Sequence, residues 1–174
     1  MNTTVTIHSK ASLDFLAFKE YLDIPELQLR HHFEVPGESM NWYFYREGKS
    51  TTLFIISYNL KDTYTISIDN LAAYDDLKFF PYLVDTLTKY LDGSMNMDHI
   101  YQQMNEEWVE NTISEEIARL KGTLTVVPRY FFAQAFNDFY YVSEDILYPF
   151  GVNLHSSTPR IYGYIQYMLR NDLL

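Results

Sequence analysis

The chain has 174 residues, with 23 Asp and Glu against 13 Lys and Arg, and no cysteine. That length favours one domain over 1–174, able to bury roughly 70% of its unfolded surface without a staple, and the missing cysteines exclude disulfides, thiol nucleophiles and thiolate-held zinc or Fe–S centres. The net charge of −10, carried by both halves, argues against a nucleic-acid or anionic-membrane partner and leaves solubility or a protein with a basic surface as its use.

The opening MNTTVTIHSKAS lacks the basic-then-apolar order of a secretory leader, and runs such as LFII (53–56) and FFPYLV (79–84) are too short to span a bilayer. A cytoplasmic location is the expectation. Residues 3–8 (TTVTIH) alternate weakly and predict a first strand. Ser12 is placed to cap a helix whose apolar positions Phe15, Phe18 and Leu22 share one face, with Pro25 as its stop. A clear alternation follows: Leu27, Leu29, His31, Phe33 and Val35 on one face, Gln28, Arg30, His32 and Glu34 on the other. Further strands are expected at 40–46, 51–58 and 63–68, joined by PGES, EGKS and NLKD turns. Short links between successive strands predict an antiparallel meander of about four to five strands, packed on helices by one face.

After Asn70 the period changes to that of a helix. Phe80, Val84, Leu87 and Leu91 fall on one face, Pro81 suits a first turn, and Gly93 suits the C-terminal stop. Met97, Ile100, Met104 and Trp108 continue at helical intervals; Thr112 with Glu115 has the form of a capping box, Gly122 of a helix end, and 123–127 of a short strand. The aromatic stretch RYFFAQAFNDFYY (129–141) breaks strand alternation at Ala133-Gln134-Ala135, and as a helix it sets Phe132, Ala135, Phe136 and Phe139 opposite Gln134, Asn137 and Asp138, so a helix is predicted there. Ile161, Ile165, Met168 and Leu169 give a last helix over 159–171, opened by Thr158-Pro159. The class is α+β, sheet-rich over 1–70 and helix-rich over 71–174.

Motifs that fix a chemistry are missing. GKST at 48–51 has Tyr43 where a phosphate-binding loop needs its first glycine, and it joins two strands; it is a hairpin turn. No G-x-G-x-x-G, G-x-S-x-G, Glu-x-x-His or His-x-x-x-His occurs, so neither a cofactor nor a metal is expected. His31 and His32 are adjacent on a strand and point to opposite faces. His31, in the apolar register, reads as a core histidine first and as an acid/base candidate second. Between Asp98 and Glu116 lie six acids and no Lys or Arg, with Met104 and Trp108 among them. That pattern reads as a solvated helix face, or as an acidic strip with a hydrophobic centre for docking.

Three functional expectations follow. The first is a non-enzymatic interaction protein, of chaperone, inhibitor or immunity type, using Met104 and Trp108. The second is a binder of a small ligand such as a carbohydrate, with Tyr140, Tyr141, Tyr162 and Tyr164 as walls and His155 nearby. The third is an enzyme built around His31 and a neighbouring carboxylate. The free edges of the meander also admit a homodimer by edge pairing.

Overall fold

The computed structural model describes residues 1–95, 103–125, 130–134, 139–143 and 151–171, with the backbone alone at 130–134 and 139–142. Six strands form one antiparallel sheet: β1 (Asn2–His8), β2 (Leu27–Val35), β3 (Ser39–Arg46), β4 (Phe54–Tyr58), β5 (Thr63–Asp69) and the two-residue β6 (Ser94–Met95). Their order is β2-β3-β4-β5-β1-β6, so the expected meander is present and the first strand joins its far side. The helices are α1 (Phe15–Leu22), α2 (Tyr74–Tyr90), α3 (Glu106–Leu124) and α4 (Thr158–Asn171). The fold is α+β, with its helices concentrated in the second half.

One sheet face is the core. Val5 and Ile7 of β1, Trp42 and Phe44 of β3, Phe54 and Ile56 of β4, and Tyr64, Ile66 and Ile68 of β5 are all buried, against Phe15 and Phe18 of α1 and Leu77, Phe80, Leu83, Val84 and Leu87 of α2. Each such ring or aliphatic chain contributes about 1.5–3 kcal/mol on leaving water. Rings meet in series across this face: Phe15 on Phe44 at 5.2 Å, Phe44 on Phe54 at 5.3 Å and Phe54 on Phe79 at 6.0 Å between centroids. The outer face carries Thr4, Thr6, Asn41, Ser57, Thr65 and Ser67 with Tyr43, Tyr45 and Ile55, hydrogen-bonded across strands by Thr4–Ser67 (2.8 Å) and Ser57–Asn41 (2.8 Å). In β1, β3, β4 and β5 the one acidic side chain on this face is Asp69, at the margin.

The expected faces of β2 are corrected by a bulge. Leu27 and Leu29 pair with Arg46 and Phe44, but the register shifts between Leu29 and His31, so His31 pairs with Tyr43 and His32 with Trp42. Because side chains alternate with period two, the extra residue exchanges the faces of everything after it. His31 and Phe33 therefore lie on the outer face and are exposed, and His31 is not a core histidine. His32 turns to the core side, where its ring stacks on Trp42 at 5.2 Å and 16°.

Helix boundaries also differ from expectation at several points. Asp14, not Ser12, caps α1, its carboxylate accepting the Ala17 N–H at 3.2 Å, and Asp23 ends the helix in the left-handed region at φ 56° before Pro25 is reached. α2 starts at Tyr74, behind Ala73, which offers no side-chain cap, so Pro81 stands in the helix interior rather than its first turn. Asp75 and Asp76 occupy that first turn, where negative charge meets the helix dipole. At the other end Asp92 takes the left-handed position (φ 48°), and the Gly93 N–H donates to Thr88 O at 2.9 Å, closing a Schellman turn. Gly93 is needed for packing instead: a Cβ there would lie 2.7 Å from Ile7 Cγ2 and 3.0 Å from His8 O. Asn105 caps α3, Thr112 is buried within it, and the helix runs past Gly122 to Leu124, so no capping box forms and 123–124 are helical.

The helix expected over 129–141 is overturned. Tyr130–Gln134 (β7) and Phe139–Ser143 (β8) form an antiparallel hairpin, with Phe132 opposite Tyr141 and Ala133 opposite Tyr140. Aromatic residues favour pleated strands, and the break at Ala133-Gln134-Ala135 that argued against one long strand marks the end of a short one. Residues 135–138, which the helical reading used as its polar and apolar faces, lie outside the described residues, as do Met97, Ile100 and 126–127 of the other expectations.

Two ionic contacts tie the layers together. The Arg46 Nε donates to Asp76 Oδ1 at 2.8 Å, with 9% and 1% of the two side chains exposed, and the guanidinium carbon lies 4.5 Å from the Phe79 ring centroid. Burial pushes the Asp76 carboxyl up despite the neighbouring Ser50 hydroxyl and Arg46. Behind β1 and β5, Glu116 of α3 meets Arg119 and the Met1 amine (2.9 Å); burial raises its pKa, and these two cations outweigh that and hold it below the usual value. Asp69 nearby accepts the Leu71 N–H at 2.7 Å, yet burial lifts its carboxyl to about 6.

Replacing Arg46 by Leu strands a buried carboxylate and should lower unfolding free energy by about 3–5 kcal/mol, read by urea denaturation, while Arg46→Leu with Asp76→Leu regains most of it. Asp69 gives a pH signature. Its folded pKa lies above the unfolded value of about 3.9, so the native state holds the proton more tightly, and the stability this adds is lost as pH rises through about 6. Asp69→Asn should therefore exceed the wild type in stability above about pH 6, with the difference vanishing near about pH 4 in thermal melts across that range.

Candidate functional site

The acidic strip acquires a definite shape on α3. Val109, Ile113, Ile117, Leu120 and Leu124 recur at steps of three and four and are buried, so the opposite face must look outward. That face presents Glu107 and Glu115, while Glu106 in the first turn and Glu110 at the flank of the buried stripe are exposed as well. The helix starts where it does because the Asn105 side chain accepts the Trp108 N–H at 3.0 Å, satisfying one orphan donor of the first turn. This start turns Met104 inward, where it is buried in the core, and leaves the Trp108 ring half-buried at the surface. Of the pair expected at the centre of the strip, Trp108 is at the surface and Met104 supports it from below.

Trp108 lines a cleft of about 400 Å³ with Gln103, Asn105, Glu107, Asn111, Thr112 and Glu115. Lys78 reaches Glu106 at 3.1 Å across the start of the helix. Among the described residues Glu107, Glu110 and Glu115 have no cationic partner. The cleft thus combines an indole face, amide and hydroxyl groups, and carboxylates with no cationic partner among the described residues. Such a surface suits a guanidinium or ammonium group, which the indole attracts by its quadrupole and the carboxylates by charge.

The tyrosine candidates are dispersed. Tyr162 is half-buried on α4, its hydroxyl donating to Ala72 O, and burial with the Asp76 and Asp75 charges pushes the phenol far above its ordinary value. Its ring lines a second groove, of about 360 Å³, with Tyr74, Glu110, Ile113, Ser114, Thr158 and Pro159. Tyr164 stands elsewhere on α4, its ring 6.2 Å from that of Tyr167. Tyr140 and Tyr141 lie in β8, and their side chains are outside the described residues. His155 is exposed in the loop before α4, held through its own N–H to Asn153 Oδ1 at 2.8 Å. His31 lies edge-on to Tyr43 at 6.2 Å, and among the described residues no carboxylate reaches its imidazole. Among the described side chains, Tyr162, Tyr164, His155 and His31 do not gather into one pocket.

Several partners in the Trp108 cleft were not visible in the sequence. Asn105 and Asn111 carried no signal there and Thr112 read as part of a capping box, and only the one-turn spacing of 108, 111, 112 and 115 could have placed them together. Among the described residues no group of three or more His, Asp or Glu is placed to hold a metal ion, and no helix is long and apolar enough to cross a membrane. Comparison of the chain with protein-family models, curated proteins and solved structures returned no significant match.

The geometry makes Tyr162 a structural contact. Tyr162→Phe should cost about 1–2 kcal/mol in chemical denaturation, because the buried Ala72 carbonyl loses its donor while the ring stays in place.

Proposed function

We propose that this chain is a non-enzymatic interaction protein that docks a basic segment of another protein on the Trp108 cleft of α3. One observation carries the reading: a half-buried indole sits in a cleft walled by Glu107 and Glu115, next to Glu110, and none of the three carboxylates is neutralised by a described cation. An anchor ring with a charged rim is the arrangement in which a few residues supply most of the binding free energy. The surplus of ten negative charges over the whole chain adds long-range attraction for a positively charged partner.

A second reading, a small-ligand site, is favoured by the groove between Tyr74, Pro159 and Tyr162, whose volume falls in the range of small-molecule pockets. Its Tyr162 hydroxyl is already engaged with Ala72, so the ring face is what that residue offers a ligand.

Titration with a labelled Arg- and Lys-rich nonapeptide, followed by fluorescence anisotropy, tests the first reading. Binding should weaken steeply with salt, Trp108→Ala should raise Kd about tenfold, and Glu107→Gln with Glu110→Gln and Glu115→Gln should raise it further. Equal affinity for wild type and the triple variant would remove the cleft from the account.

A further inference from the structure

Among the described residues the sheet ends on β2, a nine-residue strand with β3 on one side and no described strand on the other. Past the bulge, residues 31–34 are all exposed, including Phe33 at 43%. The Glu38 N–H donates to Val35 O at 2.9 Å across the β2–β3 turn, so the Val35 carbonyl faces β3. By the alternation of an antiparallel ladder, the main-chain groups of Phe33 then also face β3, and those of His32 and Glu34 point out from the edge. This is an unfilled template for one more antiparallel strand.

We propose that the strand filling it is β2 of a second copy, related by a two-fold axis through Phe33. Self-pairing has few possible registers, and the side chains choose between them. Centred on Phe33, the ladder sets His32 of each copy opposite Glu34 of the other at the hydrogen-bonded positions, twice over. On the outer face it sets Phe33 on Phe33 and His31 on Val35. Each Phe33 ring already lies 5.6 Å from Tyr43, so the junction becomes one continuous aromatic patch. Centred on Glu34, the ladder opposes two carboxylates, and centred on His31 it opposes Arg30 to His32 and crosses the bulge. Centred on His32 it relies on Arg30, which the bulge takes out of register. Like charges directly opposed across strands are destabilising, and an imidazole N–H facing a carboxylate can donate to it, so the Phe33-centred register avoids the carboxylate clash and is favoured by polar as well as apolar contact. The product is a continuous twelve-stranded sheet, and it leaves the Trp108 cleft of each copy untouched.

The absence of cysteine makes the register directly testable. At a non-hydrogen-bonded antiparallel pair the Cα atoms lie about 4.5 Å apart, within disulfide range. Sedimentation velocity of the wild type should show a species of twice the 20.7 kDa chain mass that grows with concentration. Glu34→Lys should weaken association about tenfold or more, and His32→Glu combined with Glu34→Lys, which swaps the charges, should restore it. Under mild oxidation Phe33→Cys should give a covalent dimer. His31→Cys and Val35→Cys should each stay single, and a mixture of those two should cross-link. A wild type that is monomeric at every concentration overturns the proposal, as does a dimer that ignores Glu34→Lys and forms no Phe33→Cys cross-link. Circular dichroism of each variant, matched to wild type, separates loss of pairing from loss of fold.

Discussion

The contact between Arg46 and Asp76 is the constraint on which the rest of the architecture depends. It joins the end of β3 to the first turn of α2, and α2 supplies much of the apolar surface covering the sheet. Other segments converge on the same corner. The backbone N–H of Arg46 donates to the Ser50 hydroxyl, and Thr51 in the β3–β4 loop donates to Gln166 of α4, which itself donates to Leu71 O. A buried ion pair sacrifices hydration, and apolar side chains of equal volume could supply comparable cohesion. What the ions add is direction, since Nε and one carboxylate oxygen must meet at hydrogen-bond distance. That condition leaves α2 one angle and one axial position over the sheet, and the helices packed on α2 inherit both.

The molecule separates its tasks in space. Acidic side chains gather on the outward side of α3, while Glu116 on the same helix reaches the Met1 amine and shares its carboxylate with Arg119 one turn on. The sheet edge lies on a different element and exposes Leu29, Arg30, two histidines and Phe33 with a single carboxylate, Glu34. Neither surface requires the other to move. A helix face held from behind and a strand held by its neighbour are both rigid, so little ordering accompanies contact at either one.

How much could be read in advance depended on how local each cause was. The strands of the meander were legible because alternation and turn chemistry act over a few residues, and α4 because Ile161, Ile165, Met168 and Leu169 mark one face. The faces of β2 beyond Leu29 were not, because a one-residue bulge reverses parity and leaves no compositional sign. Two strands of five residues between 130 and 143 were too short for alternation to outweigh a chance helical spacing. The start of α2 was hidden because Ala73 carries no capping side chain, and Pro81 then suggested a start one and a half turns too late, or more. At the candidate site the acids and Trp108 stood out as a linear cluster. That Met104 would fall inside and Trp108 outside depended on Asn105 ending the preceding turn, a matter of cap geometry rather than composition.

The outer face of the sheet, with its rows of threonine, serine and tyrosine, has an electrical consequence. In a chain with 23 acidic residues, strands β1, β3, β4 and β5 place only Asp69 among their acids on this face. Among the described residues the two surfaces therefore differ in charge, the outer sheet face being sparing in acids and the outward side of α3 carrying exposed glutamates. A cationic body approaching in solution is turned before contact, towards the helices and away from the hydroxyl-covered face, within about one Debye length of roughly 8 Å at physiological salt. The pattern of side chains on these strands thus favours the side from which an encounter begins, although most of the charge that attracts it lies on other elements.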